Sequence, residues 1–321
     1  MNKNILITGG CGFIGSNLAS YFLDEGHKVF IIDDLSVGKL SNLKKHKNLT
    51  FIKGSIQKIL NLRINQKFNV CIHLAAKAEI LINKEKENKY FDDNIVGLQN
   101  VLKFCAQRKV EKFIFASSAS VYGDTKNLNV NENFKLQPLH YYAYSKFLGE
   151  KMVENYGRIN NFKYYILRFF NVYGPNSNAV VARFLSQYLQ KKKITIYGNG
   201  KQSRDFIYIK DIYQAIKKII NKKIQSDIFN LGSSKSLKIK ELKNLISTNA
   251  KYVNLDKRFD DIEISIADIK KANKILKWKP KISFQKGLNE MKKESYQRLL
   301  KFKLESINQQ KKLISKFNKK S

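Results

Sequence analysis

The fold class that the sequence predicts is α/β: a doubly wound parallel sheet followed by a smaller C-terminal lobe. Three observations predict it. Short β-branched apolar runs alternate with stretches of helical period through the first half of the 321 residues. Those runs are apolar throughout rather than alternately polar, as strands covered on both faces require. Finally, a glycine-rich turn, Gly9 to Gly15, lies between the first such run and the first helical stretch.

Taken in order, Asn4–Thr8, Val29–Asp33, Thr50–Lys53, Val70–Ala75, Lys112–Ser117 and Tyr164–Phe169 are predicted strands. Between them, Ser16–Asp24 carries Leu18 and Phe22 on one helical face, and Asn94–Gln107 and Tyr142–Tyr156 are helical too. After Gly174-Pro175 the alternation loosens and turn signals multiply, as in Tyr197-Gly198-Asn199-Gly200. Residues 1–170 are therefore assigned to the first domain and 171–321 mainly to the smaller lobe. The segment Asp205–Lys217 is expected to return and pack on the first domain. From Leu288 onward, apolar positions at helical spacing among many lysines read as a solvated terminal helix, a membrane-surface helix being the alternative. No internal repeat is present.

Apolar residues make up 43% of the chain, enough for a sizeable core. Three cysteines, Cys11, Cys71 and Cys105, lie far apart and only four histidines accompany them. Neither a disulfide framework nor a metal cluster is expected. The first apolar run stops at Gly9-Gly10, which is not the shape of a signal peptide. No run approaches the length of a membrane span. A cytoplasmic enzyme is the expectation. The formal net charge of +34 is spread over the whole chain among many Asn and Ile, which reads as general lysine enrichment rather than a nucleic-acid site. The positive field would still attract a diphosphate.

The glycine turn carries the first chemical signal. Gly9, Gly12 and Gly15 are spaced so that one permits the tight turn, one lets the backbone approach a pyrophosphate, and one allows close helix–strand packing. The helix start at Phe13 and Ile14 offers amides and the positive end of a dipole. Asp33 ends the second strand, where a carboxylate accepts the ribose hydroxyls of NAD and repels the 2′-phosphate of NADP. NAD is the expected cofactor. Asp34, next to it, reads as a turn or cap residue.

Eight segments occur in one order: TGGCGFIGS, IIDDLSVGK, HLAAKA, SSASVYGD, YYAYSKFLGE, RFFNVYGP, YGNGKQSRDFIYIKD and ADIKKANKILKWKP. In this the chain resembles the extended short-chain dehydrogenases/reductases, with their Rossmann domain. More narrowly, it resembles the nucleotide-sugar epimerase/dehydratase group that includes UDP-glucose 4-epimerases. The resemblance runs from residue 3 to about 290 and leaves out the basic tail. It implies that Tyr142 and Lys146 are the catalytic Tyr-xxx-Lys pair and that Ser118 completes the set. Four residues make one helical turn, so Tyr142 and Lys146 share a face. A free phenol, with a pKa of about 10, needs a neighbouring cation to serve as a base near neutrality. Tyr141 and Tyr144 lie close by, but only Tyr142 has a lysine one turn on. The resemblance also implies cofactor contacts at Ala75, Lys77 and Asn94, and substrate contacts at Ser118, Asn171, Arg204 and Arg258. Arginine suits a diphosphate because its planar fork donates paired hydrogen bonds.

Two departures from the family pattern stand out. Gly54-Ser55-Ile56 replaces the usual Gly-Asp-Ile/Leu, so a serine stands where an acid reaches toward adenine. Arg258-Phe259-Asp260-Asp261 replaces Arg-Pro-Gly-Asp. The family's dehydratases carry an acid just after the Ser118 position, because elimination needs one; Ala119 and Ser120 stand there instead. Related decarboxylases are disfavoured for the same reason. A transient 4-keto epimerisation of a UDP-hexose or UDP-N-acetylhexosamine is therefore the expected reaction. A nucleotide-sugar reductase or dehydrogenase with the same triad is its main rival, and a non-catalytic NAD- or RNA-binding relative a more distant one. Seven residues past Arg258, Ser265 stands where the resemblance implies that a small side chain admits a 2-acetamido group. A homodimer through Asn94–Gln107 and Tyr142–Tyr156 is expected from the resemblance alone.

Overall fold

The computed structural model of the protein describes residues 2–78, 90–125, 129–257, 262–297 and 300. The alternation of apolar runs and helical stretches becomes a seven-stranded sheet in which every pairing is parallel. Its strands are β1 (Asn4–Thr8), β2 (Lys28–Asp33), β3 (Leu49–Lys53), β4 (Val70–His73), β5 (Lys112–Ser118), β7 (Lys163–Phe169) and β11 (Asp227–Leu231). They run across the sheet as β3-β2-β1-β4-β5-β7-β11. The order reverses between β1 and β4, and a doubly wound sheet binds its ligand at the carboxyl ends of such a reversal.

Both faces are covered. On one, α1 (Phe13–Asp24) packs against α5 (Ile209–Asn221), where the Tyr21 and Tyr213 rings lie 4.9 Å apart and Lys217 pairs with Glu25. On the other face α2 (Gly97–Gln107) and α3 (Tyr141–Asn160) bury Leu98, Val101, Leu102, Cys105 and Val153 against Phe113 and Phe115. A π-helical turn, Asp92–Val96, leads into α2. Lys112 caps the far end of α5, its ammonium donating to the carbonyls of Ile219, Ile220 and Lys222 at 2.7–2.9 Å.

The remaining elements form two smaller sheets and the helices beside them. A second sheet runs β12-β10-β14-β6, from β12 (Ser236–Lys238), β10 (Ser203–Tyr208), β14 (Ile264–Ala267) and β6 (Asn129–Val130), with β8 (Asn171–Tyr173) paired to β10. A two-stranded sheet joins β9 (Ile194–Tyr197) to β13 (Tyr252–Leu255), beside α4 (Val180–Leu189) and α6 (Ile239–Ile246). Helix α7 (Lys270–Leu276) follows β14. Asp205, fully buried on β10, ties the two sheets together. Its carboxylate accepts the Ser233 hydroxyl and the amides of Ser233, Ser234 and Ala267. Leu288 and Met291, in the helix over 284–297, belong to the main core, so this part of the basic terminus is a docked element. No described helix is long and apolar enough to cross a membrane.

Candidate functional site

Strand β1 delivers the chain into the glycine turn at the sheet's reversal point. Gly9 has φ +71°, and a Cβ there would stand 2.7 Å from the Ala75 amide nitrogen. A Cβ on Gly15 would stand 2.5 Å from the Gly9 carbonyl oxygen. Both glycines are demanded by the protein itself: the turn lies against β4's exit, and α1 lies against the turn. Gly12 differs. It has φ −73°, and its Cβ would meet only the Gly9 oxygen, at 3.3 Å. No side chain caps α1 at Gly12, so the first-turn amides beginning at Phe13 and Ile14 have no side-chain acceptor. An open, uncapped helix start beside backbone stripped of Cβ atoms is the form a diphosphate needs. The residues present fit NAD.

Asp33, at the end of β2, accepts the Cys11 amide on one carboxylate oxygen and the Leu35 amide on the other, at 2.9 and 2.8 Å. Each oxygen keeps a second lone pair available to an outside donor. Asp33 thus also pins the glycine turn. Burial, with Asp33 beside it, pushes the Cys11 thiol up to about 12, which leaves it unreactive. Asp34 accepts the Ser36 amide in a local turn, and Ser55 caps the 3-10 turn Ile56–Asn61 through the Gln57 amide. Asn94, in the π-helical turn, spends its amide on protein: it takes the Lys77 N–H, donates to the Lys77 carbonyl, and donates to Ser145. It holds the exit of β4, with Ala75 and Lys77, against α3. The Lys77 ammonium reaches Ser36 at 3.2 Å and Asp93 at 3.7 Å.

The second half of the site stands on β5 and α3. His140 caps α3 by accepting the Ala143 amide, and its ring lies parallel to that of Tyr142, centroids 6.0 Å apart. Tyr142 and Lys146 share a face, as their spacing predicts, and that face is turned inward. Lys146 is only 4% exposed, so a solvated helix surface is ruled out. Its ammonium donates to the Ala116 carbonyl at 2.8 Å and lies 5.8 Å from the Tyr142 ring centroid. Burial brings its pKa down to about 7, against the pull of Glu150. The half-buried Tyr142 phenol is pushed up to about 12 by burial, opposed by a hydrogen bond with Ser118. The Ser118 hydroxyl oxygen in turn accepts the Ser120 hydroxyl at 2.9 Å and the Ser120 amide at 3.2 Å. Ser118, Tyr142 and Lys146 therefore meet at the carboxyl end of β5, with Ser120 behind them.

Of the residues singled out for substrate, Asn171 opens β8 and its amide reaches the Asp205 carbonyl at 3.4 Å. Arg204 and Ser265 are register partners across β10 and β14, and Ser265 is buried. The Arg204 guanidinium donates to the carbonyls of Ser203 and Ile262. Arg258 lies outside the described residues. Sequence reasoning passed over Glu150 and Arg168, and weighed Ser120 only as a position without an acid. The available signal was Glu150, which continues the Tyr142–Lys146 row by one more turn. Among the described residues no metal-ligating cluster exists.

A family model described as "NAD dependent epimerase/dehydratase family" matches residues 5–232. The chain belongs to this family. NAD is accordingly the cofactor of this epimerase/dehydratase, consistent with its uncapped glycine turn. An uncharacterized UDP-glucose epimerase of Bacillus subtilis, YtcB, is 35% identical over 301 residues, which cover 88% of this chain and 95% of that one. A solved UDP-N-acetylglucosamine 4-epimerase from Methanobrevibacter ruminantium M1, in complex with UDP-N-acetylmuramic acid, is 34% identical, with a TM-score of 0.85 over 92% of this chain and 99% of that one. A UDP-glucuronic acid 4-epimerase from Bacillus cereus, solved with UDP-glucuronic acid and NAD, is 29% identical, with a TM-score of 0.83 over the same shares, 92% and 99%. Decarboxylases and dehydratases are also among the relatives of this epimerase/dehydratase.

Proposed function

We propose that the protein is a nucleotide-sugar 4-epimerase acting on UDP-hexoses or UDP-N-acetylhexosamines. The observation that carries this reading is the Ser118–Tyr142–Lys146 assembly with Ala119 and Ser120, rather than carboxylic acids, beside it. Such a site can move a hydroxyl proton but has no acid there to expel water from C6.

In this reading Tyr142 takes the proton of the sugar's C4 hydroxyl as a general base. Lys146 stabilises the phenolate, and Ser118, itself braced by Ser120, orients the hydroxyl. NAD, when bound, would supply a reversible acceptor for the hydride on the sugar's C4. Gly9, Gly12 and Gly15, the amides from Phe13 and Ile14, Asp33, and the loop of Ala75 and Lys77 that Asn94 holds would grip it. Arg204, Arg258 and Asn171 would hold the nucleotide end while the 4-keto sugar turns about its diphosphate linkage. Tyr142 then protonates the opposite epimer. Ser265, a small side chain buried beside Arg204, would be the residue that admits a 2-acetamido group. The outward faces of α2 and α3, where Tyr144 and Ile159 are exposed, would join two copies into a dimer. The reading places the enzyme's work in the cytoplasm, where nucleotide sugars and NAD would meet it.

The test is incubation with UDP-, GDP-, CDP- and dTDP-sugars and NAD, the products being read by NMR. Interconversion at C4 is the expected outcome. A stable keto product would reassign the enzyme as a dehydratase, and net NADH accumulation as a dehydrogenase. Turnover of UDP-glucose without UDP-N-acetylglucosamine would reject the role given to Ser265.

A further inference from the structure

Beneath the Tyr142–Lys146 pair lies a buried ionic network that the reaction, as written above, leaves unused. Glu150 follows Lys146 by one helical turn and is wholly inaccessible to solvent. One of its carboxylate oxygens accepts the Ser117 hydroxyl at 2.5 Å and the Arg168 Nε at 2.9 Å; the other accepts Arg168 Nη2 at 2.7 Å. Arg168 stands on β7 in register with Ser117 on β5. Its remaining nitrogen donates to the Tyr122 hydroxyl and the Glu132 carbonyl, both at 2.9 Å, and Tyr122 passes the chain on to Asn230 at 2.6 Å. Burying an ion pair in a core is a poor route to stability, because desolvation cancels most of the Coulombic gain. The arrangement calls for another reason.

We propose that Glu150, locked by Arg168 and Ser117, is a positioning residue whose fixed negative charge holds the Lys146 ammonium under the Tyr142 ring. The inference rests on the catalytic reading of that pair. Three geometric facts support it. Glu150 lies on the same helix row as Tyr142 and Lys146, so it is the neighbour one turn below the ammonium. The two-pronged clamp from Arg168 and the Ser117 hydroxyl removes the carboxylate's freedom to swing away. Ser117 also adjoins Ser118, so the same network fixes the strand end that presents the serine.

The electrostatic balance points the same way. The titratable groups that act on Lys146 are Tyr142 and Glu150 from its own helix and His73 from β4; Arg168 on β7 is paired to Glu150, and Tyr122 and the Glu132 carbonyl are bonded to Arg168 in turn. His73 is driven down to about 3 by burial and by Lys146, and so is neutral. Burial pushes the Tyr122 phenol up to about 12, so it too is neutral. Glu150 is the one carboxylate that favours the charge on Lys146. Without Glu150 burial would act on the ammonium unopposed, and its pKa would fall further.

The experiment is a pH titration of the Tyr142 phenolate by ultraviolet difference absorbance, each protein being read against the same protein carrying Tyr142→Phe, with and without NAD. For Glu150→Gln the phenol should ionise about one pH unit or more above the wild type, the low end of the effect of one opposite charge. The ascending limb of kcat should move with it while KM stays near the wild-type value, and Glu150→Asp should restore most of both. Should Glu150→Gln fail to fold with Arg168 unpaired, Glu150→Gln with Arg168→Gln removes both charges and is read identically. A folded, NAD-binding variant whose phenol titrates as in the wild type would reduce Glu150 to a structural role and overturn the proposal. The titration needs no sugar. Failure to turn over any nucleotide sugar would sink the epimerase reading and leave this measurement standing.

Discussion

The three glycines of the cofactor turn should separate cleanly on substitution. Gly12→Ala is the informative change. At Gly12 the backbone is extended, with φ −73°, and a new Cβ touches one carbonyl oxygen at 3.3 Å. The protein alone can take the methyl group if the Gly9 carbonyl gives by a few tenths of an ångström. Losing glycine's freedom in the unfolded chain favours the variant by about 0.4–1 kcal/mol. A poorer N-cap costs a similar amount, and in a chain of this size about 1 kcal/mol is only 2–4 °C in Tm. The NAD-free variant should therefore melt within about 4 °C of the wild type. The same methyl occupies the open helix start that a diphosphate must approach. Holding the dinucleotide roughly 1 Å farther out should weaken NAD about 100-fold, equivalent to about 2.7 kcal/mol. Calorimetric titration reads the affinity directly, and the rise in Tm on adding NAD should shrink with it. Gly9→Ala, at φ +71° and 2.7 Å from the Ala75 nitrogen, should instead lower the melting point of the NAD-free protein as well, by an amount that includes about 1–2 kcal/mol for the left-handed backbone. If Gly12→Ala bound NAD as the wild type does, or fell in stability as far as Gly9→Ala, the distinction between the protein's demand and the ligand's would be refuted.

Tyr142→Phe should keep NAD affinity and Tm while lowering turnover by about 10²–10⁴, measured as C4 interconversion. Ser120→Ala removes one of the two hydrogen bonds that brace the Ser118 oxygen, and kcat should fall by about tenfold or less, the scale of a single neutral bond. His73 is buried and neutral, with its pKa down at about 3, whereas the unfolded chain binds its proton near 6.5. Stability from this group is complete above that value and is lost as the pH falls from about 6.5 toward about 3, with a slope of up to about 1.4 kcal/mol per unit. Denaturant unfolding of the wild type and of His73→Gln, compared at several acidic pH values, should show the shallower slope in the variant. Lys112→Met would leave three α5 carbonyls without their donor, and should lower Tm by several degrees without altering NAD affinity.

Much of this molecule follows from local rules, and the sequence carried them. The apolar runs that became β1 to β5 and β7 were legible because strands buried on both faces must be apolar along their whole length. The glycine turn, Asp33 and the Tyr142–Lys146 spacing were legible for a related reason: each depends on residues near one another in the chain. The edge strand β11 was not, because Asp227–Leu231 is five residues whose place beside β7 is a matter of topology. From Leu288 onward the sequence suggests a solvated helix because its lysines mask the two core residues, Leu288 and Met291.

What the tertiary structure alone decided is which side of each group faces which neighbour. It turned the Tyr142–Lys146 row inward, and it set Glu150 against an arginine 18 residues away on another strand. It filled the hydrogen-bonding capacity of Asn94 with protein and placed Ser265 opposite Arg204. Sequence spacing fixes contacts along one helix or turn, where the geometry repeats. Charge balance in a buried site depends on strands brought together only when the sheet closes, and no period in the chain encodes that distance.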